Sequence, residues 1–253
     1  YSRRPLRYRT YPDGRAPERY EQARFTPWAD RDPDMAVAAD TLGNRLAIAR
    51  EAQDGWAIDS HAKAIAATRS LPELVDMAGL DRDPFSRALT QAHCRRAPRV
   101  HGDITAANMA VAADGAAFVL VVSDRVARKK SLSGVQIAGG CTVGGSPDMP
   151  GLAPVDAINR TLHAANLTPG DMRHVEIMEA FAVQAIACQQ GAGLRSGLVN
   201  QKGGALARGH PVGASGTILA TRLVHAIQAR PGYGLAAIAA AGGLGTALLL
   251  QGD

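Results

Sequence analysis

The chain has 253 residues, 46% hydrophobic and 20% charged, which fits one large or two ordinary domains with a sizeable core and excludes a disordered, collagen-like or disulfide-scaffold chain. Its 28 basic residues exceed 23 acidic ones for a net charge of +5, yet only 4% is aromatic, so the stacking platforms of a nucleic-acid binder are scarce. No apolar run is long enough to span a bilayer, and the three cysteines, Cys94, Cys141 and Cys188, are odd in number and lack metal-ligand spacing. With no signal peptide at the start, these features predict a soluble cytoplasmic protein that binds no nucleic acid, membrane or metal.

In chain order, residues 1–34 are rich in Pro, Arg and Asp without periodicity, so irregular structure is expected. Asp13, Glu18, Glu21 and Asp30 dilute the arginines, which makes this stretch a solvated loop region, at most attractive to a small anionic ligand such as a phosphorylated cofactor. From 35 to about 80 the sequence turns Ala-rich, and apolar residues recur every three and four over 49–64, which predicts helix. Ser70-Leu71-Pro72-Glu73 predicts a second helix start.

The pattern then changes. Ala117-Phe118-Val119-Leu120-Val121-Val122 is a continuous apolar run, expected as a strand buried on both faces. Further strands are expected over 134–138 and 174–178, with helices over 155–165, 181–190 and 213–229, the last ended by Pro231 and Gly232. Two closing strands, 235–240 and 246–251, flank a hinge over 241–245. Strands alternating with helices predict a layered α/β fold.

The densest constellation runs from Asn200 to Gly216: Asn-Gln-Lys-Gly-Gly-Ala-Leu-Ala-Arg-Gly-His-Pro-Val-Gly-Ala-Ser-Gly. It is a glycine-punctuated loop feeding a helix N-terminus, with the His210 imidazole at its mouth. An imidazole so placed serves as a base for a nucleophile or as a donor to a developing oxyanion.

Asn200, Gly203, Gly204, Gly209, His210, Pro211, Gly213, Ser215 and Gly216 match the Asn-x-x-Gly-Gly…Gly-His-Pro-x-Gly-x-Ser-Gly signature, so the chain resembles the thiolase family. Met178-Glu179-Ala180-Phe181 resembles that family's Asn-Glu-Ala-Phe motif, and Ala239-Ala240-Ala241-Gly242-Gly243-Leu244-Gly245 its Cys-x-Gly-Gly-Gly-x-Gly motif. Ile104 to Asn108 through 114–117, the segment around Met35, and 50–61 look like further family blocks.

The resemblance implies an αβαβα layered fold: a loop (insertion) domain over 1–100, a remnant of a first half over 101–125, and a second half over 126–253. It implies an acyltransferase acting on acyl-CoA thioesters, with coenzyme A thioester as substrate, no cofactor, and a dimeric or tetrameric assembly. His210 would activate the acyl-carrying cysteine, and the Ala241 N–H would help form the oxyanion hole. Met35, Ala110, Met149, Ala180 and Phe181 would line the substrate and CoA path.

Departures from the family pattern matter equally. Met178 stands where the family has the water-holding Asn, and Ala239 where it has the cysteine that moves the α-proton. Ala110 replaces a Ser that bonds pantetheine, and Val111 a neighbouring Gly. The nucleophilic cysteine of the family lies before a segment that Ser2-Arg3-Arg4-Pro5 resembles, so it is expected from outside this sequence, on the same polypeptide or on a partner. Two functions stand: an acyltransferase whose nucleophile is supplied in that way, or a catalytically impaired thiolase-like subunit with a structural or regulatory role.

Overall fold

The computed structural model describes residues 7–20, 24–68, 71–75, 79 and 83–252. The opening stretch is not wholly irregular: β1 (Arg7–Arg9) and β2 (Glu18–Tyr20) pair antiparallel as a short hairpin. Three paired residues per strand are too few to leave an alternating sequence pattern.

Helix α1 (Met35–Leu46) starts because the Asp34 carboxylate accepts from the Ala36 and Val37 N–H groups, and ends where Ala47 turns left-handed. Helix α2 (Arg50–Ala67) follows and buries Gln53, Ala57, Ser60, His61 and Ala64. No helix begins at 70–73: Pro72 and Glu73 form a turn, and Ser70 lies outside the described residues. Helix α3 (Gln91–Arg96) is capped by the Thr90 hydroxyl, and β3 (Arg99–His101) and β4 (Ile104–Thr105) make a hairpin whose Asp103 N–H is held by Asp40.

The expected strand at 117–122 does not form. The segment has no regular secondary structure, with Phe118 88% and Leu120 80% exposed. A strand exists only as part of a ladder, and among the described residues no neighbouring strand reaches this segment. Helix α4 (Asp124–Lys130) follows, with Ser123 as its cap, Asp124 in its first turn and Arg128, Lys129 and Lys130 in its last. That charge order suits the helix dipole, and the helix buries no residue.

The remainder is the layered core. It comprises β5 (Gln136–Gly144), α5 (Ala153–Ala164), β6 (Met172–Ile177), α6 (Ala182–Gly191), α7 (Ala205–Arg208), α8 (Ser215–Ala229), β7 (Gly232–Ala240) and β8 (Leu244–Gly252). The sheet order is β5-β8-β7-β6, parallel only between β6 and β7, and Val199 adds one parallel bridge beyond β6. Alternation sorts the side chains: Leu235, Ala237, Ala247 and Leu249 face α5 and α6, while Ala236, Ile238, Leu248 and Leu250 face α8. Helices therefore cover both faces, as the expected α/β fold requires.

A candidate active site around His210

The segment between α6 and α8 is built outward from Asn200. Its backbone is left-handed (φ 47°), and its side-chain amide accepts from the Ile177 N–H at 2.8 Å and donates to the Ile177 carbonyl at 2.9 Å. The amide thus pairs with β6 as a neighbouring strand's peptide would. Gly203 follows at φ +77°, where a Cβ would stand 2.5 Å from the Ser60 carbonyl of α2. A Cβ on Gly204 would run into the Glu179 carboxylate, so both glycines are required by close approach.

Glu179 is the hub. It is 1% exposed, and its two oxygens accept from Trp56 Nε1 (3.0 Å), Ser60 Oγ (2.8 Å), Asn200 Nδ2 (2.7 Å) and the Leu206 N–H (3.2 Å). Those donors come from α2, the loop and α7, so one buried carboxyl ties three elements together.

His210 sits beyond α7, where Gly209 (φ +89°) presses against Phe85 and Ala113. The His210 N–H donates to the Val111 carbonyl at 2.8 Å, and Nδ1 lies 2.7 Å from Ser215 Oγ. The Ser215 hydroxyl donates to the Pro211 carbonyl at 3.0 Å. In that arrangement Nδ1 carries the ring hydrogen and Nε2 keeps its lone pair. Burial holds the His210 pKa below the ordinary histidine value, so the ring is neutral at pH 7.

Several residues expected at a site converge here. The Ala110 N–H donates to the Ala180 carbonyl at 2.9 Å, Met109 bridges to Phe181, and the next residues, Val111 and Ala112, run beside His210. Ala110, Ala180, Phe181 and His210 are therefore strung along one crossing of the chain. Met35 and Met149 are placed elsewhere, along α1: Met35 opens that helix, and the Met149 sulfur meets Arg45 in its last turn. Met178 is buried in one apolar cluster with Leu219, Leu223 and Ile227 of α8. Ala239 is the last residue but one of β7, opposite Gly245, and the turn after the strand puts positive φ on Gly242 and Gly243 but not on Ala241. The Ala241 N–H is thus presented by an ordinary L-residue backbone.

An apolar cavity of ≈ 420 Å³ lies between the first turns of α8 and the sheet, lined by Thr142, Gly216, Leu219, Ala236, Ile238 and Thr246 among others. Among the described residues no cluster suits a metal ion. Cys94 and Cys188 are buried, which raises both thiols, Cys188 to about 12, so neither forms a thiolate near neutral pH. Sequence reasoning missed the Glu179 hub, the Ser215 contact and two arginines, Arg208 and Arg222, that donate to the loop carbonyls of Lys202 and Gly203. One signal was available: Arg222 is the single Asp, Glu, Lys or Arg in the fifteen residues of α8.

Comparison with known proteins decides the family. The model "Thiolase, N-terminal domain" matches residues 25–125 and "Thiolase, C-terminal domain" matches 131–252. The chain belongs to the thiolase family. Among thiolase relatives, the Bacillus subtilis protein YhfS, provisionally named an acetyl-CoA C-acetyltransferase, is 40% identical over 91% of this chain and 67% of its own length. The acetyl-CoA acetyltransferase of Cupriavidus necator is 36% identical over 86% of this chain and 60% of its own. Human mitochondrial 3-ketoacyl-CoA thiolase superposes with a TM-score of 0.81 at 29% identity, covering 88% of this chain and 60% of that one. The dimeric peroxisomal thiolase of Saccharomyces cerevisiae gives 0.81 at 27% identity, with the same coverage. These 253 residues thus have an α/β thiolase fold and span about three fifths to two thirds of the length of their relatives.

Proposed function

We propose that this chain is the imidazole-bearing part of a thiolase-type acyl-CoA acyltransferase, whose acyl-carrying cysteine comes from a segment outside these 253 residues. The observation that carries the reading is the His210 ring: neutral, tied at Nδ1 to Ser215, its backbone tied to Val111, and its Nε2 without a hydrogen-bond partner among the described residues. Such a nitrogen takes the proton of a thiol. The thiolate then attacks the thioester carbonyl, and the tetrahedral oxyanion draws on backbone donors, of which the Ala241 N–H is one. Collapse forms the acyl-cysteine and expels CoA thiolate, which recovers the proton from the imidazolium. The names of relatives, acetyl-CoA acetyltransferases, support acyl-CoA as the substrate class.

Acyl loading and carbon–carbon bond formation make different demands. The second step needs a base for the α-proton and a site for the enolate, and Ala239 and Met178 supply neither. The proposed activity is therefore acyl loading with a slow condensation or thiolysis step. A second reading, a thiolase-like subunit with a structural role, is favoured by the packing of Met178 into the core and by the side chains of Ala110 and Val111. An oligomeric assembly is proposed from the dimeric yeast neighbour, and a reducing compartment such as the cytoplasm from the three free cysteines.

Exchange of isotopically labelled CoA into acetyl-CoA tests the reading in the protein that carries its nucleophilic segment. His210→Ala is expected to abolish exchange with the fold unchanged, and exchange that survives would remove the proposed role. Ala239→Cys with Met178→Asn should accelerate the carbon–carbon step if CoA enters past Val111. No gain, together with no measurable CoA binding, supports the structural reading instead.

A further inference from the structure

We propose that Arg222 is a positioning residue for His210: it braces the base of the loop that carries the imidazole. The inference rests on His210 being the reacting group, and goes beyond that reading by assigning the part of α8 that aims it.

The loop leaves the edge of β6 at Asn200 and returns at Ser215 as α8, so its two ends lie on elements that pack together. Arg222, two turns into α8 and 7% exposed, reaches back across this base. Its Nη1 donates to the Gly203 carbonyl at 2.6 Å and stands 3.6 Å from Glu176 Oε2 on β6. Glu176 is itself 7% exposed. Among the described residues, neither Arg222 Nε nor Nη2 has a hydrogen-bond partner. A guanidinium and a carboxylate buried in this way cost desolvation that an apolar pair of the same volume avoids, so stability alone does not explain them. What they do fix is a direction.

Gly203 is the point at which direction is set. Its left-handed backbone lies so near α2 that the peptide cannot be re-seated, and Arg222 grips its carbonyl from the other side. Beyond it come one turn of α7, Gly209 and then His210, a short stiff lever with little slack. Arg208 holds the preceding carbonyl, Lys202, at 2.8 Å, so two guanidiniums grip successive peptides at the root of the lever. Release at Gly203 swings the imidazole relative to Ser215 and Val111.

The test separates aiming from stability. Glu176→Gln with Arg222→Met removes both buried charges together, so neither is left unpaired. Arg222→Lys keeps a charge facing Glu176, but its shorter side chain falls short of the Gly203 carbonyl. Ring 15N resonances of histidine-labelled protein, with His210 assigned by His210→Ala, report the imidazole directly and need no turnover. Both variants are expected to unfold cooperatively near the parent temperature while the His210 ring signals shift or broaden. Acyl loading should fall about 10-fold or more without weaker CoA binding, because a small misplacement of a reacting group is costly. Ring signals coincident with the parent's in a folded variant overturn the proposal, and if the double variant fails to fold, Arg222→Lys decides. Loading that survives His210→Ala overturns the functional reading instead and leaves the ring measurement to judge the brace.

Discussion

Two five-residue, mostly apolar runs in this molecule meet opposite fates. Thr246-Ala247-Leu248-Leu249-Leu250 is the heart of β8, paired with β5 on one side and β7 on the other, with helices on both faces. Phe118-Val119-Leu120-Val121-Val122 is wholly apolar, yet lies open to solvent and joins no sheet among the described residues. Sequence decides that such a run is able to be a strand; only neighbours make it one. In the first case the neighbours are in this chain. For the second, the comparison with thiolases that are half as long again supports partners from outside these residues.

The sharpest way to break that contrast is a pair of truncations. Leu249→Ala, at a fully buried position, should cost ~2–5 kcal/mol by urea unfolding. Leu120→Ala in the exposed run should stay within about 0.5 kcal/mol. Equal costs would mean that the exposed run is packed in solution, and the contrast would fail.

Acid supplies the next largest effect, on helix α2. His61 is buried on α2 and accepts from the Arg87 N–H, and burial with the nearby Arg87 charge pushes its pKa down to about 4. In the unfolded chain it titrates near 6.5, so stability is full above that value and falls as pH drops toward 4, because only the unfolded state gains the proton. The loss over this window should approach about 3 kcal/mol. His61→Gln should flatten the slope between pH 6.5 and 4, read from urea midpoints at each pH. An unchanged slope would assign acid sensitivity elsewhere.

A smaller effect tests whether α1 is fixed locally. Asp34→Ala removes the carboxylate that caps it and should cost about 1 kcal/mol. No change would mean that packing of Ala36, Ala39 and Leu42 alone sets where the helix begins.

How much of this was legible follows the same division. Strands β6, β7 and β8 and helices α5, α6 and α8 announce themselves by period and by Gly and Pro at their ends, and all appear within a few residues of expectation. Helix α4 gave no signal because seven residues with no buried face have no periodicity. The hairpin β1–β2 is too short to alternate. At the site, His210 and its glycines were legible because a tight turn needs particular residues at particular places. The hub at Glu179 was not, since its donors, Trp56, Ser60, Asn200 and Leu206, come from segments well over a hundred residues apart at the extremes. Burial of Met178 under α8 was equally invisible, because a methionine reads alike in a core and in a channel.

The central claim is that His210 serves a cysteine that is not among Cys94, Cys141 and Cys188. Intact-mass measurement before and after incubation with acetyl-CoA tests it most directly, on these 253 residues alone and on the protein extended by its nucleophilic segment. The account predicts no adduct on the 253-residue chain, one acetyl group on the extended protein, and none on its His210→Ala variant. An acetyl group on the 253-residue chain itself, or undiminished loading in the variant, would contradict it.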